Sequence, residues 1–502
     1  MAGNSRIHGL TKRIHSSNII WSVLAVLMNA GINLLIVPYI TSYIGVSAYG
    51  FVSLSANLIS YVDIVSMALN SFAGRYIAVA YHRGDRDGAK RYYSSLMLAD
   101  AVLCGLILVP AAVLIWKVDV FLQVPEELLT DVQLLFIVVL VRYFTIVMRN
   151  ALDVATFICN RLDLTGKLRT ISYVIQAAAL ILFYTYGGPR IWFTGMASLL
   201  AAVFLFLTQL YLKCRLTPEL QTKVSLFSWG RVLEFVRMGI WNSVNSIGNV
   251  LNSGLDLLVT NLMLDSVLMG DVSVAKTVAT MSLTLLYTVS DAMKPRQLQA
   301  YSEGKREELI ARLKRSMALS GGITALIFAG FVSCGMDFLG LWIPGQDIEI
   351  IYRLTVISLA GYLVIGAVYP LYYVYTLTEK VSFPCLLTIG MGCANVAGMF
   401  LLIRYTGLGV YAVVLTTMVL DCLHIVDAPL YSAWCLRQKW HTFYPVILEH
   451  FARCAVTLGL LVGLDHFWPE VNGWGGFLLK AMVLGLAGTV TAVPFRTLRR
   501  ET

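Results

Sequence analysis

About fourteen apolar runs, each near the ~20 residues a helix needs to cross the hydrocarbon of a bilayer, fill most of this 502-residue chain. They run approximately over 18–44, 48–81, 92–116, 132–157, 170–186, 191–212, 235–262, 272–292, 317–342, 351–376, 383–403, 409–434, 447–466 and 475–493. The runs are apolar on every side instead of alternating, which is the pattern of spanning helices and not of barrel strands. Charged residues make up 13% of the chain, against about a quarter in soluble domains. The fold class is therefore an all-α polytopic membrane protein, with two of the longer runs open to a kink or re-entrant piece.

The charges order the topology. With the N-terminus in the cytoplasm, Arg6, Lys12, Arg13, the basic loop 82–91, Arg161, Lys167, Lys213, Arg215, Lys223, the segment 294–315, Arg437, Lys439 and the tail 496–500 all fall inside. The opposite loops hold Lys117, Arg190, Arg353 and Arg404, an asymmetry of roughly six- or sevenfold in the sense of the positive-inside rule. Both termini are expected in the cytoplasm. The net charge of +9 then reflects topology and attraction to anionic lipid, and nucleic acid is not an expected partner. No cleavable signal peptide is expected, because the first apolar run is too long and lacks an Ala-x-Ala-like end. The nine cysteines are scattered singly, without a Cys-x-x-Cys pair or a His cluster, and read as small buried hydrophobes. No metal or cofactor is expected.

Within the seventh run, Asn242, Asn245, Asn249, Asn252, Asp256 and Thr260 recur three or four residues apart. That spacing is one face of a helix. Lipid cannot satisfy such a row, so it must meet other helices or a wet path. Interhelical tying is the alternative account. In the fourth run Arg142, Thr145, Arg149 and Asp153 share a face; Asp63 and Arg75 lie in the second, Asp100 in the third, Lys276 and Asp291 in the eighth, and Asp421 and His424 in the twelfth. Ionisable residues at such depth are functional candidates. Snorkelling accounts equally well for Arg75, Asp291 and Arg237 near span ends, a static tie for Arg149 with Asp153, and packing for His424.

Several chemistries are excluded by what is missing. The triplet Gly304-Lys305-Arg306 has Gln299 where a phosphate-binding loop needs its first glycine, and no metalloprotease helix or nucleophile elbow occurs. Asp85-Arg86-Asp87 sits in a short loop with no nucleotide-binding domain around it. The chain is not expected to be an enzyme.

A shift of 220 residues aligns Trp21 with Trp241, Asn29 with Asn249, Gly50 with Gly270, Ser53 with Ser273, Tyr81 with Tyr301, Gly84 with Gly304 and Arg86 with Arg306, without a gap. Parallel six-helix repeats follow as an expectation: a first lobe over 1–215, a cytoplasmic linker over 216–231, a second lobe over 232–436, and two trailing helices with a tail over 437–502.

The segment GVSAYGFVSLSANLISYVDIVSMALNSFAGRYIAVAY resembles the opening signature of Wzx-type polysaccharide flippases in the multidrug/oligosaccharidyl-lipid/polysaccharide (MOP) superfamily. The matching elements are Tyr49-Gly50, Asp63 in mid-span and Arg75-Tyr76 before a basic loop. VAKTVAT, Met293-Lys294-Pro295, LGLWIPG and YTGLGVYAVVLTT are similar to the same family. The resemblance implies two six-helix lobes in a V-shaped, MATE-like arrangement around a central cavity, with two further C-terminal helices. Lipid II flippases of this superfamily carry basic residues in the first span, whereas nothing charged lies between Arg13 and Asp63 here. That departure favours an O-antigen, capsule or exopolysaccharide unit.

On this reading the protein of a bacterial cytoplasmic membrane moves a polyprenyl-diphosphate-linked oligosaccharide from the inner to the outer leaflet by alternating access. Arg142, Arg149 and Lys276, with Arg75, are the expected partners of the diphosphate; Asn242, Asn245, Asn249 and Asn252 of the glycan; and Asp63, Asp256 and Asp153 of a coupling H+ or Na+. Membrane lipids and polysaccharide polymerases or glycosyltransferases are the other expected partners. The alternative is a cation-coupled multidrug antiporter on the same fold.

Overall fold

The computed structural model describes residues 31–492 apart from 33 and 160, with backbone alone at 162 and 163. Twelve helices among them are long and apolar enough to cross a membrane. The count of fourteen is not reached, for two identifiable reasons. The first expected span lies largely outside the described residues and is represented by α1 (Leu34–Tyr43). The seventh is broken: α8 (Trp229–Asn249) gives way to a wider π turn at Val250–Gly254 before α9 (Asp256–Met263).

Two compact units divide the chain, one ending at Val250 and the other beginning at Leu251. In the first, α2 (Val46–His82), α3 (Arg86–Trp116), the short α4 (Val118–Phe121), α5 (Leu129–Ile158), α6 (Leu162–Tyr186) and α7 (Trp192–Leu216) precede α8. Its packing rests on α5 against α7 and α2 against α8, with α3 beside α2 and α6 beside α7. The second unit adds α10 (Ser266–Asp291), α11 (Lys294–Ser302), α12 (Arg306–Trp342), α13 (Ile348–Leu377), α14 (Ser382–Tyr405), α15 (Tyr411–Cys435), α16 (Tyr444–His466) and α17 (Gly473–Ala492). Here α13 is central, touching α10, α12 and α15, while α16 and α17 pack on α12. The central position agrees with its sequence, apolar all round and without a polar face.

The 220-residue echo has a backbone counterpart. Gly84 and Gly304 both take positive φ, +82° and +69°. In each case the glycine N–H bonds the carbonyl three residues back and the next N–H bonds the carbonyl five back: Gly84 to Tyr81 and Asp85 to Ala80, then Gly304 to Tyr301 and Lys305 to Ala300. This is a Schellman stop, which needs a residue tolerant of left-handed backbone. Both stops are followed two residues later by a long helix, α3 and α12. The Trp21 and Asn29 members of the echo lie outside the described residues.

The segment 216–231 lies in the first unit and is bound down along α3. Ser94 Oγ donates to the Gln221 carbonyl at 3.0 Å and accepts from Lys223 N, while Ser95 Oγ accepts from Ser228 N at 3.0 Å. Arg86 pairs with Glu219, and Tyr92 OH donates to Glu234 at 2.7 Å. A strap so tied moves with α3. Of the nine cysteines, only Cys435 and Cys454 are buried, correcting the reading that all are core hydrophobes. An outward thiol on a spanning helix meets lipid and needs no protein cover.

Candidate functional site

In the first unit, Asp63, Ser66, Met67, Asn70, Ser71 and Gly74 follow one face of α2 and line a cavity of about 600 Å³. Asn150, Asp153, Thr156 and Phe157 of α5, Thr165 and Arg169 of α6, Leu96 of α3 and Asn242 of α8 complete most of its wall. Asp63 accepts from Ser66 Oγ at 2.5 Å. Asn70 Nδ2 reaches from the cavity wall to Asp100 Oδ1 at 2.9 Å, and Asp100 is fully buried with Oδ2 unpartnered. Within the wall Thr165 Oγ1 donates to Thr156 Oγ1, and it accepts from Gln209.

Arg149 and Asp153, one turn apart on α5, approach at 3.5 Å (Nε to Oδ2), outside good hydrogen-bond geometry. Arg149 Nε and Asp153 Oδ1 both remain without a hydrogen bond although buried. A pair this loose and this deep has unused capacity on each side, unlike a saturated tie. Arg142 lies two turns from Arg149 on the same helix face, half-buried. Arg169 lines the cavity from α6, and Arg149 adjoins it through the lining residue Asp153; Arg142 is not part of its wall. The wall itself carries two carboxylates and one guanidinium, equal numbers once Arg149 is counted, and not an excess of cations.

The predicted residues divide between the units. Asp63, Asp153 and Asn242 line the first-unit cavity, with Arg149 adjoining. Asn245 and Asn249 of α8 are exposed in their unit and do not line it; Arg75 is exposed two turns before the C-terminal end of α2. The second unit holds the rest of the seam. Asn252 Nδ2 donates to the Thr388 carbonyl at 2.9 Å, and its own carbonyl accepts from Asn395 Nδ2 at 2.6 Å. Asn252 thus ties α14 to the π turn. Lys276 of α10 donates to Asp256 Oδ2 at 2.6 Å and to the Ser253 carbonyl. Residues expected separately, as phosphate clamp and coupling carboxylate, are therefore partners in one ion pair.

The local reason for that pair is the π turn. A widened turn withdraws carbonyls from the helical ladder, and Ser253 offers one to the lysine. Asp256 is 3% exposed, so without Lys276 it would be a buried, uncompensated charge. Asp421 lies within electrostatic range of both, its carboxylate packed on Gly361, where an added Cβ would stand 2.7 Å from Oδ2. His424 Nδ1 lies 3.0 Å from Asp427, with Tyr372 edge-on to its ring.

Sequence reading missed Asn70, Asn150, Arg169 and Asn395. A usable signal existed for Asn70, seven residues after Asp63 and so on its helix face. Nothing in the sequence singled out Arg169, which reads as the start of an ordinary span.

A family model described as "Polysaccharide biosynthesis protein" matches residues 16–301. The chain is 28% identical over 470 residues to the "Uncharacterized membrane protein EpsK" of Bacillus subtilis (strain 168), covering 93% of this chain and 92% of that one. Among solved structures, "Lipid II flippase MurJ, inward closed conformation" superposes with TM-score 0.69 at 13% identity, over 97% of this chain and 99% of that one. The inward-facing form of a multidrug resistance MATE family transporter of the MOP superfamily gives 0.61 at 15% identity, over 87% and 98%. These likenesses establish a MurJ- and MATE-like fold.

Proposed function

The chain belongs to the polysaccharide biosynthesis protein family, and from that premise we propose that it is a flippase carrying a polyprenyl-diphosphate-linked oligosaccharide from the cytoplasmic to the outer leaflet of a bacterial inner membrane. An O-antigen, capsule or exopolysaccharide unit fits the sequence. The observation that carries the reading is the first-unit cavity, a polar space inside an apolar bundle with Arg149 incompletely paired at its edge and Arg169 in its wall. The lipid tail of such a substrate is stable in hydrocarbon; only its phosphates and sugars require a protein path. Guanidinium groups suit the phosphates, and Asp63, Ser66, Asn70, Asn150, Thr165 and Asn242 suit sugar hydroxyls. Arg142 and Arg149 hold the diphosphate on the α5 side, with Asp63 and Asp153 as first-unit candidates for a coupling ion. The head group is exposed to the two sides in turn.

In proteoliposomes loaded with a fluorescent polyprenyl-diphosphate oligosaccharide, Arg149→Ala is expected to slow the appearance of glycan on the far leaflet by about tenfold or more, the loss of one charge-assisted phosphate contact. Arg142→Ala should act similarly, with membrane insertion unchanged. Wild-type rates from both variants would remove the assignment. The second reading, a cation-coupled multidrug antiporter, draws on the acidic and aromatic surroundings of the second unit, where Tyr287, Tyr362 and Tyr372 lie near Asp421. Efflux of an organic cation by vesicles that do not flip the glycolipid would favour it.

A further inference from the structure

Among the described residues Lys276 is the cation paired with Asp256, and its side chain is still 19% exposed while that of Asp256 is 4%. The ammonium therefore has an open side, and the carboxylate does not. Asp256 Oδ2 takes the lysine; Oδ1 is buried without any hydrogen-bond partner. A second acceptor, the Ser253 carbonyl of the π turn, also takes the lysine.

The groups around the pair make its charge state one-sided. From α15, Asp421 is in range of both Asp256 and Lys276; from α13, the Tyr362 phenol is in range of Asp256 and Asp421; from α14, Asn395 contributes a neutral amide beside Asn252. If the ammonium leaves, two carboxylates in one another's field share a buried space with no lysine between them. Such an arrangement does not keep both charges.

We propose that Lys276 is shared between two anions, so that a diphosphate head group drawing its ammonium away from Asp256 leaves that carboxylate to take up a proton, making substrate binding and protonation one event. This rests on the chemical class of the substrate argued above, a diphosphate-linked glycan, and not on where the first unit holds it. The exchange balances: the lysine keeps its three protons, the Asp256 carboxylate gains one from water, and no covalent bond other than that O–H is made or broken. Release of the substrate reverses both steps, the ammonium returning to Asp256 as the proton leaves.

The test is calorimetric titration of the full-length protein in nanodiscs with farnesyl-diphosphoryl-N-acetylglucosamine, a diphosphate diester whose phosphates do not titrate near neutral pH, in two buffers of different protonation enthalpy. Wild type should take up about one proton per diester bound. Asp256→Asn should bind several-fold more tightly, since its lysine is no longer held, and take up none. Lys276→Ala should bind about tenfold more weakly or less. Wild-type binding without proton uptake removes the exchange while leaving the substrate reading intact, and needs no variant to fold. Full uptake by Asp256→Asn places the proton elsewhere and likewise overturns it. No binding of the diester by wild type removes the substrate reading and the exchange together.

Discussion

Replacing Gly239 by leucine is expected to force α2 and α8 apart and to abolish transport in whatever protein still inserts. A Cβ at Gly239 would stand 2.1 Å from the Ala68 carbonyl oxygen, 2.8 Å from its carbon and 2.9 Å from Ser71 Oγ. Two of those three atoms are backbone, so no rotamer change relieves the overlap and the helices themselves must move. One turn on, Ser243 Oγ donates to the Ile64 carbonyl at 2.6 Å, a bond that requires the same close approach. Gly239 and Ser243 thus form a small-xxx-small contact of the kind that lets membrane helices touch backbone to backbone. Even Gly239→Ala should cost about 1–3 kcal/mol, and leucine more. Because α2 and α8 both wall the cavity, the shift displaces Asp63, Asn70 and Asn242 relative to one another. Melting of the detergent-purified protein, read by fluorescence-detected size exclusion, would report the loss; an alanine variant as stable as wild type would mean that the helices cross less closely.

How much of this was legible in the sequence depended on which surface a residue meets. The helices were readable almost throughout, since the bilayer demands long apolar runs: the run expected at 409–434 is α15 (Tyr411–Cys435). The two Schellman stops were readable as the echo of Gly84 and Gly304. The course of the seventh segment was not, although Asn252, Ser253 and Gly254 are all poor helix residues. The spacing of Asn242, Asn245, Asn249, Asn252 and Asp256 at three and four fits a continuous helix face so well that it hides the place of the break between Asn249 and Asp256. Partnership was the least legible property. Asp256 and Lys276 lie 20 residues apart on different helices, and only tertiary packing makes them a pair. Gly239 with Ser243 was in plain view as Gly-x-x-x-Ser, but in a chain with 39 glycines the pattern is too common to select one crossing. Lys480 was overlooked inside an otherwise apolar run, the setting in which a lysine most needs an explanation.

Substituting that lysine by methionine should be the most damaging single change in the trailing helices. Lys480 of α17 is 5% exposed and its ammonium lies 2.6 Å from Asp337 of α12 and 2.5 Å from Asp465 of α16. Three helices meet on one cation. Methionine fills much the same volume, so the loss is electrostatic: two carboxylates would face each other in a low-dielectric setting with nothing between them. Removing one partner from a buried pair costs about 3–5 kcal/mol. Asp337 and Asp465 keep about a third of their side-chain surface open, which lowers the expectation to about 2–4 kcal/mol through partial solvation. The triple variant Lys480→Met, Asp337→Asn, Asp465→Asn should regain most of that stability, since it leaves no uncompensated charge. Cys454, buried on α16, gives a local readout: its maleimide labelling, followed by mass spectrometry, should rise in the single variant and return towards the wild-type level in the triple. A single variant that melts and labels like wild type would mean the two carboxylates do not depend on the lysine, and that apolar packing such as Leu461 with Leu484 holds the trailing pair by itself.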